Sequence, residues 1–150
     1  MMTRLMKYVL AVVFSLAVFA FLQAPVADAK SPVTRPFHIS GQMTFLDASF
    51  TEFPWAILDQ GVASELGKFV AIIKMKADGS DFGIFYAADG DQLFYRGAGN
   101  SEAIFTGGTG RFKDATGSFK YTMSDPEYAP GPEGTMSVTI MYMGQGTLTY

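Results

Sequence analysis

Residues 37–45, Phe-His-Ile-Ser-Gly-Gln-Met-Thr-Phe, place apolar or small side chains at odd positions and polar ones at even positions. A period of two marks a β-strand with one buried face, because successive side chains point to opposite sides of a sheet. A helix, repeating every 3.6 residues or so, cannot bury that pattern along one face. The pattern recurs. Residues 68–76 set Phe69, Ala71, Ile73 and Met75 on one side. Lys68, Lys74 and Lys76 share the other side with Val70 and Ile72. Residues 135–142 align Met136, Val138, Ile140 and Tyr142. This chain is committed to a sheet with an inside and an outside.

The punctuation fits that commitment. Asp78-Gly79 and Asp89-Gly90 are hairpin turn pairs, since Gly accepts positive φ and Asp bonds its own backbone. They bound short aromatic strands over 82–88 and 92–98, with further strands expected over 103–106 and 117–123. Residues 125–134, with Pro126, Pro130 and Pro132, read as a loop. Gly144 and Gly146 are expected to bend the last strand before 147–150 completes it. Residues 46–66 are ambiguous. They read as a strand with Pro54 at an edge or bulge, or as ending in a helical turn over 62–66. About eight strands, frequent glycine and no long helix predict a small all-β fold, a closed antiparallel barrel or a sandwich. Closure removes exposed edges, which favours the barrel.

The first thirty residues follow another logic. Arg4 and Lys7 precede an uncharged stretch from Tyr8 to Leu22, and Ala27-Asp28-Ala29 follows. This is the layout of a secretory signal, and its apolar run is shorter than the roughly 20 residues of a spanning helix. The expected organisation is a cleavable signal peptide over 1–29 and a single β-barrel domain over 30–150. The destination would be secreted or periplasmic, with no stable membrane insertion after cleavage. All sixteen glycines lie beyond residue 29. The chain has no cysteine, which excludes disulfides, thiolate metal sites and a Cys nucleophile. Its formal net charge of −3 argues against nucleic acid, which wants a basic face.

The segment Phe105-Thr106-Gly107-Gly108-Thr109-Gly110-Arg111-Phe112, followed by Ala115-Thr116-Gly117, is distinctive. So are Ala87-Ala88-Asp89-Gly90-Asp91-Gln92-Leu93-Phe94 and Leu66-Gly67-Lys68-Phe69. Their order resembles secreted bacterial proteins, largely uncharacterised, related to the allene oxide cyclase and dirigent barrels. The resemblance spans 66–150. It implies an eight-stranded antiparallel calycin-like barrel with an apolar interior, and self-association as a trimer or dimer. The cyclase and dirigent catalytic residues have no matching positions here. Physically, the glycines at 107, 108 and 110 allow a tight turn between strands. Phe112 is expected to plug a barrel end and Arg111 to pair with a carboxylate. The spacing matches no phosphate-cradling motif.

Candidate chemistry is sparse. His38 is the single histidine and lies in a polar register, so neither a histidine metal site nor a Ser-His-Asp triad is expected. Asp89 and Asp91 miss the EF-hand pattern and read as turn caps, as do Asp78 and Asp81. No metal or cofactor is expected. Glu65, Asp91, Arg96 and Arg111, with Asp114, would be acid–base candidates if any pointed into an apolar barrel. Phe69, Phe82, Tyr86, Phe94, Phe119 and Tyr142, with Met43 and Met136, either fill a core or line an apolar cavity. Tyr95 and Tyr121 are further hydroxyl donors. Three functions are compatible with this. The first is a non-enzymatic barrel that binds a small hydrophobic molecule. The second is a cyclase or isomerase of a reactive apolar substrate, which requires an ionisable group in the cavity. The third is a structural envelope protein with a filled interior and an exposed apolar patch.

Overall fold

The alternating segments form strands paired edge to edge. A computed structural model describes residues 31–45, 55–130 and 136–150. The signal peptide expected over 1–29 lies outside them. Among the described residues the strands are β1 (Thr34–Phe45), β2 (Trp55–Ala63), β3 (Gly67–Met75), β4 (Asp81–Tyr86) and β5 (Gln92–Gly99). They continue with β6 (Glu102–Gly108), β7 (Thr116–Met123), β8 (Glu127–Pro130) and β9 (Met136–Thr149). All neighbours are antiparallel, in the order β1-β2-β3-β4-β5-β6-β7-β9. β1 also pairs with β9 along its whole length, from Thr34↔Thr149 to Phe45↔Val138. That seam closes an eight-stranded barrel. No helix among the described residues is long and apolar enough to cross a membrane.

Three local expectations change. Residues 62–66 are the end of a strand and a turn, with no helix. The proline-rich loop contains β8, which pairs Glu127–Pro130 with Met136–Thr139 of β9. Pro130 ends that strand, where a missing N–H is tolerated. β9 does not break at Gly144 and Gly146, which pair in register with Ile39 and Phe37 of β1. Their role is clearance. A Cβ on Gly144 would stand 3.0 Å from Phe119 Cδ2, and one on Gly146 would stand 1.9 Å from the Ser118 carbonyl oxygen.

The same device recurs inside the barrel, where large rings lie over glycines of the adjacent strand. Tyr95 of β5 covers its register partner Gly83 of β4, and Tyr142 of β9 covers Gly41 of β1. A Cβ on Gly83 would meet Tyr95 Cε1 at 2.4 Å, and one on Gly41 would meet Tyr142 Cε1 at 2.8 Å. An eight-stranded barrel is only wide enough for side chains to fill. Glycine opposite an aromatic lets the ring lie flat without colliding across the interior.

The two ends differ. One end gathers the β2–β3 turn, the β4–β5 turn and a single 3₁₀ turn, Gly110–Phe112. Phe112, Phe37, Leu66, Leu93 and Leu148 pack there, each almost wholly buried. Phe112 is thus the plug that the sequence suggested. Rings then run inward: Phe37 meets Phe105 edge-on at 5.0 Å, and Phe85 stacks on Tyr95 at 4.8 Å. The opposite end, with the β3–β4 and β5–β6 turns, is open. Outside, Leu58, Ile72, Ile84 and Phe94 line up in register across β2–β5 as an apolar row.

Replacing Gly146 with Ala is expected to destabilise the fold by about 3 kcal/mol, because the new methyl group meets backbone and cannot be avoided. Gly79→Ala, with φ +80 and nothing near its Cβ, should cost about 1 kcal/mol through backbone strain alone. Urea unfolding of both variants checks this. Equal losses would show that clearance in the barrel is not limiting.

Candidate functional site

The open end leads into a cavity of about 830 Å³. Met43, Ile57, Ile73, Met75, Phe85, Phe119, Val138 and Ile140 supply most of its wall. The polar groups are Asp59, Tyr95, Tyr121 and Tyr142 within, and Asp78, Ser80, Asp81, Asn100 and Ser101 around the mouth. The interior is therefore filled at one end and hollow at the other.

Asp59 defines the floor. It lies on β2 in register with Met43 of β1 and Ala71 of β3, sharing the inward side with Ile57 and Ala63. Its side chain belongs to a residue only 1% exposed, the one buried charged residue of the described core. Tyr142 of β9 reaches it across β1, passing over Gly41, and donates its hydroxyl to Asp59 Oδ2 at 2.7 Å. Asp59 Oδ1 is buried with no hydrogen-bond partner among the described residues. Burial pushes the Asp59 carboxyl up to about 7, against the lowering effect of the Tyr142 hydroxyl and the Gln60 backbone. Burial also raises Tyr142, reinforced by the Asp59 charge and hydrogen bond. Burial raises Tyr95 well above its ordinary value, helped by Asp81 and Asp59, and raises Tyr121, helped by Asp81. These phenols remain protonated donors at neutral pH. Asp81 is raised by burial too. Asp78 is lowered, chiefly by the Ser80 hydroxyl that donates to it in the turn.

The acid–base candidates from the sequence lie elsewhere. Arg111 sits at the sealed end, paired with Asp89 and 3.9 Å from Asp91. Its Nη2 donates to the Glu65 carbonyl at 2.8 Å, and its backbone N–H donates to Asp91 Oδ2 at 3.2 Å. Glu65 accepts the Tyr150 hydroxyl at 2.5 Å. Together these residues clamp the turns over Phe112. Arg96 is exposed on β5 in register with Phe82, and Asp114 is exposed beside the 3₁₀ turn. His38 is exposed on β1.

Of the aromatic candidates, Phe119 and Tyr142 line the cavity, whereas Phe69 belongs to the filled core. Phe82, Tyr86 and Phe94 correct the expectation of an inward face. They occupy the outer register of β4 and β5, opposite Gly83, Phe85 and Tyr95. The inner side of β4 carries Asp81 and Gly83, so its more apolar side faces out. Met43 lines the cavity, and Met136 is exposed. Asp59 and Asp81 were missed as a pair inside. The signal for Asp59 was a carboxylate in register with Ile57, Gly61 and Ala63, within the stretch whose fold was ambiguous. Among the described residues, no set of three or more His, Asp or Glu side chains is placed to hold a metal ion.

No protein-family model matches the chain, and no curated protein does either. Among solved structures, the pterocarpan synthase dirigent protein GePTS1 is similar at 12% identity and a TM-score of 0.42, covering 80% of this chain and 87% of its own. The pterocarpan synthase dirigent protein PsPTS1 is similar at 15% identity and a TM-score of 0.41, covering 78% and 95%.

The carboxyl at the floor makes stability depend on pH. Folded Asp59 holds its proton to about pH 7, whereas an unfolded aspartate releases it near 3.8. Between those values the folded chain binds more protons, so this group's contribution falls as pH rises from about 4 to about 7. Asp59→Asn keeps an acceptor for Tyr142 and removes the charge. It should gain on the order of a few kcal/mol relative to wild type at pH 8, and almost nothing at pH 4. Denaturant unfolding at both pH values checks it; a pH-independent difference would contradict a buried, titrating Asp59.

Proposed function

We propose that the open end of the barrel binds a small, largely apolar molecule, with the Asp59–Tyr142 pair as its polar anchor. The observation that carries this reading is the cavity itself: about 830 Å³, walled by aliphatic and aromatic side chains, with one buried carboxyl oxygen unsatisfied at its floor. Its size is within the range of small-molecule sites, and few polar groups in an apolar wall are their usual composition. The test is native mass spectrometry of protein purified from its own host. A retained molecule of a few hundred daltons is expected, on the scale of cavities this size. Val138→Phe, which narrows the cavity near its mouth, should abolish retention, whereas Val70→Phe on the outer face should not. Equal retention by both variants would place the molecule elsewhere.

A second reading, a cyclase or isomerase of a reactive apolar substrate, is favoured by one observation. A carboxyl titrating near 7 is available in both protonation states at neutral pH, which suits general acid–base work. The molecule recovered from Asp59→Asn protein should then differ from that of wild type, substrate in one and product in the other. Identical molecules would remove this reading.

Export and self-association belong to the same proposal. The first rests on Arg4, Lys7, the apolar run 8–22 and Ala27-Asp28-Ala29. The second is supported by the outward row of Leu58, Ile72, Ile84 and Phe94, since contiguous apolar surface marks contact sites. Light scattering should give the mass of a trimer or dimer; the mass of one chain would overturn it.

A further inference from the structure

The side chains of the cavity that can carry charge at neutral pH are all acidic. Asp59, Asp78 and Asp81 line it, together with Tyr95, Tyr121 and Tyr142. No Lys, Arg or His does so among the described residues. The ion pairs among the described residues are those of Arg111 with Asp89 and Asp91, at the sealed end. Asp59 and Asp81 thus have no cationic partner there, although Asp59 is almost wholly buried and Asp81 half-buried. A buried carboxyl without a partner is unfavourable in apolar surroundings, and a positive charge beside it offsets that cost most effectively. The walls favour the same charge. Tyr95, Tyr121, Phe85 and Phe119 are among the lining residues, and aromatic rings attract cations through their quadrupoles. An anionic head group would find hydroxyl and amide donors here but no cation, and would stand beside carboxylates.

We propose that this cavity selects an apolar molecule carrying one protonated nitrogen, an amine with an aromatic or aliphatic body, whose ammonium group sits on Asp59 Oδ1. This rests on the cavity being a binding site, and adds the class of molecule it takes. Tyr142 holds Oδ2, and Oδ1 is enclosed without a partner among the described residues, so the ammonium group meets it by a turn of the Asp59 carboxyl toward the cavity. Asp81 and Asp78 at the mouth attract the cation and steer it inward, an effect that weakens with salt. The apolar body rests against Met43, Ile73, Val138 and Ile140.

Protonation follows from the geometry. Tyr142 of β9 and Tyr95 of β5 face Asp59, with Asp81 of β4 and Tyr121 of β7 coupled to Tyr95. β1 and β3 present only Gly41, Met43 and Ala71 beside it. The ammonium group favours ionised Asp59. Below pH 7 or so binding must expel the proton, so affinity should rise with pH through that region.

Three probes with one body separate the outcomes: 4-phenylbutylamine, 4-phenylbutan-1-ol and 4-phenylbutanoate, titrated calorimetrically into the purified protein. The amine is expected to bind about tenfold or more tighter than the alcohol, the scale of a charge-assisted over a neutral hydrogen bond. The carboxylate should not bind. Asp59→Asn should collapse the preference for amine over alcohol to about threefold or less. Raising pH from 6 to 8 should strengthen the amine alone. An alcohol that binds as well as the amine would overturn the cation proposal and leave the cavity reading intact. Failure of all three to bind would overturn both. Because the probe series is decided on wild-type protein, it stands even if the variant misfolds.

Discussion

The rest of this structure depends on rings lying over glycines. A barrel of eight strands has little interior width, and this chain sends Phe37, Phe69, Phe85, Tyr95, Phe105, Phe119 and Tyr142 into it. That is feasible because neighbouring inward positions are empty. Gly83 lies under Tyr95, Gly41 under Tyr142 and Gly144 beside Phe119. Gly41 has a further consequence. It lets the Tyr142 ring cross β1, so that a hydroxyl on β9 meets a carboxyl on β2. The polar pair at the cavity floor is a product of the same clearance that packs the core.

The barrel then divides its work between its ends. At the sealed end, charged side chains are spent on closure: Arg111 ties Asp89, Asp91 and the Glu65 carbonyl together above Phe112. Tyr150 adds a bond to Glu65, and the backbones of Val33 and Tyr150 pair beside it. With no cysteine in the chain, this clamp and the β1–β9 seam hold the ends of the sheet together. At the open end, Asp59 and Asp81 have no ion-pair partner among the described residues. The same residue type therefore does opposite things. Asp89 and Asp91 are satisfied by Arg111, while Asp59 is left with a free oxygen.

The sequence was legible where the physics is local. The Asp-Gly turns formed as read, with Gly79 and Gly90 at positive φ and Asp78 Oδ1 accepting the Ser80 N–H. The plug by Phe112 and the pairing of Arg111 were legible for the same reason, since a glycine-rich turn must place its large residues nearby. What could not be read was which side of a strand is inside when that side carries glycine. On β4, Phe82, Ile84 and Tyr86 outweigh Asp81, Gly83 and Phe85 in apolar character, yet the second set faces in. The pattern inverts because the missing Cβ of Gly83 is filled by Tyr95 from the next strand. That information is non-local. Asp59 was hidden by the same rule, since an acid between Ile57 and Gly61 looks like an interruption of a strand until its partner on β9 is known.

An acid at that position is not what stability alone would select. Replacing buried polar partners with well-packed apolar groups is commonly neutral or stabilising, and an unsatisfied buried oxygen costs about 1–3 kcal/mol. Tyr142 relieves half of the problem by bonding Oδ2, and the raised pKa relieves more by allowing the carboxyl to stay neutral below about pH 7. Neither supplies a partner for Oδ1. The cavity beside it has a mainly apolar wall, and Oδ1 finds no partner among the described residues, which is why the proposed ligand is one that can bond there.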